Sequence, residues 1–324
     1  MNSKVFSLEI LNKLGNYHRN LMKEISNVIN NFKTNKQIYE YIDDYITKNK
    51  LNKAFPIGIS INHVIAHDSY HESNILKLNE GDFIKIDVGL IEYRNIIDSA
   101  RTFIYNNLET PQSIIDSKNI CKQVEEYIRK KIENEGKIKI QAISILINML
   151  ITTKGYSNLD FLGGHTIEYN KVHGSQYILN KPLNLLPKQA SNYIDSNAEI
   201  GEGEMFAIEI YIGDKKYSGN MVKSIKIPVT HYQLNKKEEI EKLKLDKDEL
   251  EIINNIFLET GGLVYEYKIH KKFNIKIIKK LIDNGIIIKH EALEFISNFK
   301  EKIKYVQYED CFIINNGELL NLSE

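Results

Sequence analysis

One segment constrains this chain more than any other: Gly81-Asp-Phe-Ile-Lys-Ile-Asp-Val-Gly-Leu-Ile-Glu-Tyr-Arg-Asn-Ile-Ile-Asp-Ser-Ala. It reads as a strand, a turn and a second strand, rich in Ile and Val, with aspartates set among them. A hairpin turning near Glu92-Tyr93 brings Asp87 opposite Asp98. Directly opposed β-carbons lie about 5 Å apart, and like charges there are destabilising unless a cation joins them. The alternative is that one or both aspartates face solvent on a strand edge.

Three more sites bear on that choice. Glu209 lies within Met-Phe-Ala-Ile-Glu-Ile-Tyr-Ile, apolar on both sides, where an unpaired carboxylate is unfavourable. Glu309 lies in what reads as the last strand, Tyr-Val-Gln-Tyr-Glu-Asp-Cys-Phe-Ile-Ile, in a similar setting. His165 follows Gly163-Gly164, which lets its backbone approach a site closely. Singly, each is more often a satisfied core residue than a ligand. Together Asp87, Asp98, Glu209, Glu309 and His165 are oxygen-rich with one nitrogen and no thiolate. Four negative charges match two divalent cations, and the set suits manganese, iron(II) or cobalt(II) better than a structural zinc.

Composition removes other classes. With 42% apolar residues, 27% charged residues and 43 acids against 43 bases, the chain is globular and lacks the basic excess of a nucleic-acid or membrane coat. Cys121 and Cys311 stand alone, so neither a disulfide framework nor a zinc knuckle is expected. The amino terminus carries Lys4, Glu9 and Lys13 in a helical pattern and lacks a signal-peptide core. Ile138 to Ile151 is too short to span a bilayer and reads as a buried helix.

Helical spacing runs through Phe6, Leu8, Leu11 and Leu14, then Leu21, Ile25, Val28 and Phe32, so two or three helices precede the hairpin. Helices are expected over Pro111 to Asn134 and Ile138 to Thr153. Strands are expected near His165 to His173, Met205 to Ile212, Lys223 to Val229 and Tyr305 to Ile314. Lys236 to His290 is charged and helical in period and reads as an inserted module. Its cluster of Lys268, Lys271, Lys272, Lys276, Lys279 and Lys280 reads as a solvated helix face rather than a nucleic-acid contact.

From about Phe55 to Ile314 the chain resembles the methionine aminopeptidases of type 2, the eukaryotic and archaeal class. The resemblance rests on Leu78-Asn-Glu-Gly-Asp-Phe-Ile-Lys-Ile-Asp-Val-Gly, Asp98, Gly164-His165 with His173, Glu202-Gly-Glu-Met-Phe-Ala-Ile-Glu209 and Gln307-Tyr-Glu309, in family order. Proline-specific peptidases and creatinases share these ligands. Phe55-Pro-x-Gly-x-Ser-x-Asn followed by His67, and the long gap from Glu209 to Glu309, are the type 2 features.

The resemblance implies an α+β pita-bread fold: amino-terminal helices over 1–54, a catalytic domain over 55–227 and 293–324, and a winged-helix-like insert over 228–292. It implies removal of the initiator methionine before a small second residue, with two divalent ions (manganese, iron(II) or cobalt, zinc being a further candidate). Asp98 and Glu309 would bridge the ions, His165 and Glu209 complete one site, and Asp87 hold the other. Glu209 would also pass on a proton, His173 donate to the carbonyl oxygen, and His67 contact the scissile amide and take fumagillin-type inhibitors. Phe55, Tyr211 and His290 would join His67 and His173 in binding substrate.

Tyr211 stands where the family has a pocket Phe, His290 near a pocket Tyr, and His63 where Asn is usual. The pocket His expected soon after Glu209 has no counterpart between Gly213 and Lys223. The implied partners are nascent-chain amino termini met at the ribosome, for a cytoplasmic monomer without a membrane span. A ligand-free, ribosome- or RNA-associated member is disfavoured by the retained ligands. A proline-specific peptidase is disfavoured by the short stretch before Phe55.

Overall fold

The computed structural model describes residues 6–107, 109–188, 194–213, 222–240, 242–295 and 303–324. Helices α1 (Leu8–Val28) and α2 (Asn35–Lys48) start at Ser7 and Thr34, whose side chains accept from Ile10 and Gln37 amides as N-caps do. Their buried stripes, Leu11, Leu14, Leu21 and Ile25, then Ile38, Ile42 and Ile46, share one core with the following strands. Those strands are β1 (Asn52–Lys53), β2 (Gly58–Ile61), β3 (Phe83–Glu92) and β4 (Asn95–Ile104), with β1 and β2 along one edge of β3 and β4 along the other.

The hairpin forms, with a register different from the expected one. Asp98 pairs with Gly89 and Asp87 with Ala100, because the turn centres on Tyr93 and Arg94. Both adopt positive φ, 45° and 67°, as a two-residue primed turn requires, and Asn95 Nδ2 donates to the Glu92 and Tyr93 carbonyls to hold it. The shift is even, so both aspartates stay on one face.

Next come α3 (Gln112–Glu135), β5 (Lys137–Lys139) and α4 (Ile140–Thr153). Helix α4 is only half buried: Ile140, Ile143, Ile147 and Ile151 face the core, whereas Ile145 and Met149 are exposed. Strand β6 (Gly163–Ile167) stops short of His173 because Glu168 and Lys171 bond each other's backbones in a turn. Then follow β7 (Tyr177–Leu179), β8 (Glu199–Gly201), β9 (Met205–Gly213) and β10 (Val222–Ser224). The strand expected to run to Val229 ends early, where the Ile227 amide turns back to the Ile225 carbonyl just before Pro228.

The stretch 236–290 is not purely helical. Between β11 (His231–Leu234) and β13 (Ile287–His290) lie α5 (Lys237–Ile240), α6 (Lys247–Thr260), β12 (Tyr265–Glu266) and α7 (Ile275–Asp283), and the three strands form a sheet in the order β12-β11-β13. An apolar cluster including Leu234, Ile253, Ile256, Ile278, Leu281 and Ile287 fills it. Of its lysines, Lys268, Lys271, Lys272 and Lys280 pair with Glu266, Glu72, Glu259 and Glu249.

The chain returns through β14 (Leu293–Phe295), β15 (Tyr305–Asn315) and β16 (Glu318–Asn321), so the Glu309 strand is followed by one more. A five-stranded sheet runs β16-β15-β9-β6-β7, with α3 and α4 packed on it through Ile120, Val124, Ile143 and Ile147. Side chains stitch it to the hairpin along β4 and β15: Ser99 Oγ donates to the Glu309 carbonyl (2.6 Å) and Thr102 Oγ1 to that of Gln307 (2.8 Å). That seam gathers all the acidic residues singled out above. No helix among the described residues is long and apolar enough to cross a membrane.

Candidate metal centre

Strands β9 and β15 place Glu209 directly opposite Glu309, two rungs along from Tyr211 and Gln307 and on the same face. From across the seam come Asp87 and Asp98, and from β6, paired with β9, comes His165. The approach of β6 is close: a Cβ on Gly164 would lie 1.9 Å from the Ala207 carbonyl oxygen, so only glycine fits there. His165 Nε2 then stands 3.6 Å from Asp98 and 3.4 Å from Glu209. Its Nδ1 lies 3.1 Å from the Thr166 carbonyl, which accepts the Nδ1 proton and leaves the Nε2 lone pair for the site. Donor atoms of Asp98, His165 and Glu309 lie within 4.8 Å of one another.

Asp98, Glu209 and Glu309 are buried, and no ammonium or guanidinium ion-pairs with them among the described residues. Oδ1 of Asp87, Oδ1 of Asp98 and Oε1 of Glu309 are buried without a hydrogen-bond partner. Burial lifts the Asp98 carboxyl to about 7 and raises those of Asp87, Glu209 and Glu309 well above the usual carboxylate range, with mutual repulsion adding to the last three. Four buried carboxylates, three of them with a partnerless oxygen, and a neutral imidazole fit divalent cations: an unpaired buried acceptor is costly, and a cation resolves it. Gln307 Nε2 steadies Asp87 from 3.0 Å, and the Tyr211 hydroxyl donates to Glu209.

Above these acids the cavity encloses about 710 Å³, mouth included, with a second set of walls. Of the nine histidines in the chain, five line it: His67, His165, His173, His231 and His290. His67 lies 6.2 Å from His231 and 6.1 Å from His290, ring centre to ring centre. Burial lowers His67 to about 4, with His290 and His173 adding to the effect. Its Nδ1 sits 3.3 Å from the Glu291 carbonyl. His173, at the exposed rim, meets His165 edge-on at 4.5 Å. Phe55 packs its ring where a Gly89 side chain would be, and Tyr211 lies buried in the wall.

Each site residue named from the sequence borders this one space. His63 and His71, the neighbours that compete with His67 for attention, do not: His63 lies 3.9 Å from Glu294, and His71 stacks on Tyr267 at 4.1 Å. Sequence reasoning missed His231, sought between Gly213 and Lys223; most of that stretch lies outside the described residues, and His231 enters from β11. Its trace in the sequence was being, with His270, one of two histidines between Glu209 and His290. It missed Lys85 and Val264 as lining residues too.

The sequence profile of metallopeptidase family M24 matches residues 9–240. A methionine aminopeptidase of Thermococcus kodakarensis is 27% identical over 206 residues, 62% of this chain and 62% of that protein, so the match spans less than two thirds of the relative. Among solved structures, the methionine aminopeptidase of Thermotoga maritima superposes with TM-score 0.64 at 13% identity, covering 99% of this chain and 98% of the other. A thermophilic Arx1 gives TM-score 0.69 at 12% identity, covering 98% and 91%. The architecture is therefore the pita-bread fold.

Proposed function

Because the chain belongs to metallopeptidase family M24, we propose that it is a dinuclear aminopeptidase of the type 2 methionine class. It removes the initiator methionine from nascent proteins and peptides when the second residue is small. The observation that carries this reading is the seam of buried carboxylates in which an oxygen of Asp87, of Asp98 and of Glu309 has no hydrogen-bond partner. Asp87, Asp98, His165, Glu209 and Glu309 hold two divalent ions, manganese, iron(II) or cobalt before zinc. When bound, these supply Lewis acidity to the scissile carbonyl and acidify the water that attacks it.

The chain's own residues do the rest. Glu209 accepts a proton and passes it on, held in place by the Tyr211 hydroxyl. His173, at the rim, donates to the carbonyl oxygen as charge develops there, and His67 contacts the scissile amide. With its Nδ1 proton on the Glu291 carbonyl, His67 presents a neutral Nε2 lone pair, the form that a fumagillin-type epoxide alkylates. Phe55, Tyr211 and His290 line the side-chain pocket, and His231 joins them. The stretch 228–292 is an inserted unit with an apolar cluster of its own. The enzyme works as a cytoplasmic monomer on chains emerging from the ribosome.

The test is release of the first residue from a peptide panel by manganese- or cobalt-loaded protein. Methionine freed from Met-Ala-Ser and not from its Met-Lys-Ser counterpart is expected. Cleavage confined to peptides with proline second would replace this reading with a proline-specific one, and no release from any peptide would overturn it.

A further inference from the structure

We propose that Glu266 is a specificity-determining position that acts from outside the cavity: it latches the inserted unit to the amino-terminal frame and so sets the spacing of the methionine pocket's walls, an inference that rests on the pocket reading given above. Strands β12, β11 and β13 put Glu266, His231 and His290 on one rung, Glu266 opposite His231 and His231 opposite His290. Directly paired residues point to the same face of a sheet, so the carboxylate stands beside the two imidazoles. The imidazoles border the cavity. Glu266 borders the neighbouring groove instead, which shares Phe55 and Val264 with the cavity wall.

Three groups hold the buried Glu266 carboxylate. Lys53 Nζ, from β1, lies 2.6 Å from Oε1, and Lys268 Nζ lies 2.5 Å from Oε2. The Tyr39 hydroxyl, from α2, lies 2.9 Å from both oxygens and donates to one of them. Lys53 is itself tied to Asp43 of α2 at 2.8 Å, and Lys268 also donates to the Tyr39 hydroxyl (2.9 Å). Lys53 stands two residues before Phe55, whose ring borders the cavity, and a ring N–H of His231 donates to the carbonyl of Pro56, one residue after it. The inserted unit therefore meets the frame on both sides of Phe55, through Glu266 before it and His231 after it. Apolar contact holds two surfaces together without choosing a register, whereas charge-assisted hydrogen bonds choose one. A buried carboxylate carries a desolvation penalty, and what it supplies in return is registry: the separation of Phe55 from His231 and His290. Glu266 need not touch substrate for this, so it is a positioning residue.

The test compares Met-Ala-Ser with its norleucine and leucine counterparts on metal-loaded full-length protein, each variant checked for folding by thermal unfolding and for metal content. Glu266→Gln keeps the side-chain volume and removes the charge. It is expected to lower the preference for methionine over leucine in kcat/KM by about threefold or more, mainly by raising KM for the methionine peptide, with kcat and metal stoichiometry little changed. Lys280→Gln breaks an ion pair within the inserted unit, to Glu249 at 2.7 Å, and is expected to leave the preference intact. Should Glu266→Gln fail to fold, Tyr39→Phe removes the hydroxyl, keeps the ring and carries the same expectation. An unchanged preference in the Glu266 variant, or equal losses in Glu266→Gln and Lys280→Gln, would overturn the latch while leaving the pocket reading in place. No preference for methionine in the wild type would overturn the pocket reading and this proposal with it.

Discussion

The floor and the wall of the cavity are both built from ionisable side chains, and burial drives the two in opposite directions. The floor is acidic and sits on regular antiparallel strands, β3, β4, β9 and β15, where Asp98 rises to about 7. The wall is imidazole, drawn from a loop, a rim turn and the β11–β13 sheet, where His67 falls to about 4. Each shift disfavours the charged form in a low-dielectric space. Without cations the floor relieves that penalty by holding protons, and a cation allows it to ionise; the wall relieves it by staying neutral. Long-stranded ladders therefore carry the groups that need an external partner, and a loop, a rim turn and two short strands carry those that do not.

The largest effect should come from breaking the floor. Asp98→Ala should abolish turnover and lower bound metal, while the fold survives because Ile96, Ile97 and Ala100 supply the local core. Full activity in that variant would sink the ligand assignment. Breaking the wall should be milder. His67→Asn is expected to reduce kcat by about 10²–10³ with metal content unchanged. Epoxide inhibitor should leave a single adduct on the peptide carrying His67; an adduct on His63 or His71 would assign the reactive position wrongly.

Smaller still, and opposite in sign for floor and wall, is the pH dependence of stability in metal-free protein. Asp98 binds its proton more tightly folded than unfolded, so its contribution is full below about pH 4 and is lost as pH rises to about 7. His67 binds its proton less tightly folded, so its contribution is present above about 6.5 and is lost as pH falls to about 4. Asp98→Asn should raise the metal-free Tm near neutral pH by a few degrees and flatten the first slope. An unchanged Tm-against-pH curve would show that the floor is not strained. The smallest effect concerns selectivity: His290→Tyr should change the ratio of methionine to norleucine release by no more than about tenfold. Equal release of methionine, norleucine and leucine by the wild type would remove the pocket reading.

Floor and wall also differ in how far the sequence exposes them. Carboxylates inside apolar β-alternation are conspicuous because period and polarity conflict, so Asp87, Asp98, Glu209 and Glu309 were found, and an even error in the hairpin register did not move any of them to the wrong face. The true register depended on positive φ at Tyr93 and Arg94, which neither residue type advertises. His231 was missed because its place depends on how β11 leans over the cavity, a tertiary fact without local signature. The burial of Lys85 was invisible for the same reason: a lysine in a strand reads as surface until its neighbours are known to bury it. Within 236–290, strands of only two to four residues left too little alternation to read against the helical period.

The central claim is that the acidic floor exists to hold two divalent ions, and metal-binding stoichiometry tests it most directly. Metal-free protein titrated with manganese(II) or cobalt(II) in a calorimeter at neutral pH should bind two ions per chain, release protons as the raised carboxyls ionise, and gain thermal stability. In Asp98→Ala the stoichiometry should fall. Failure of the wild type to bind either ion, or binding that persists unaltered in Asp98→Ala, would contradict the claim.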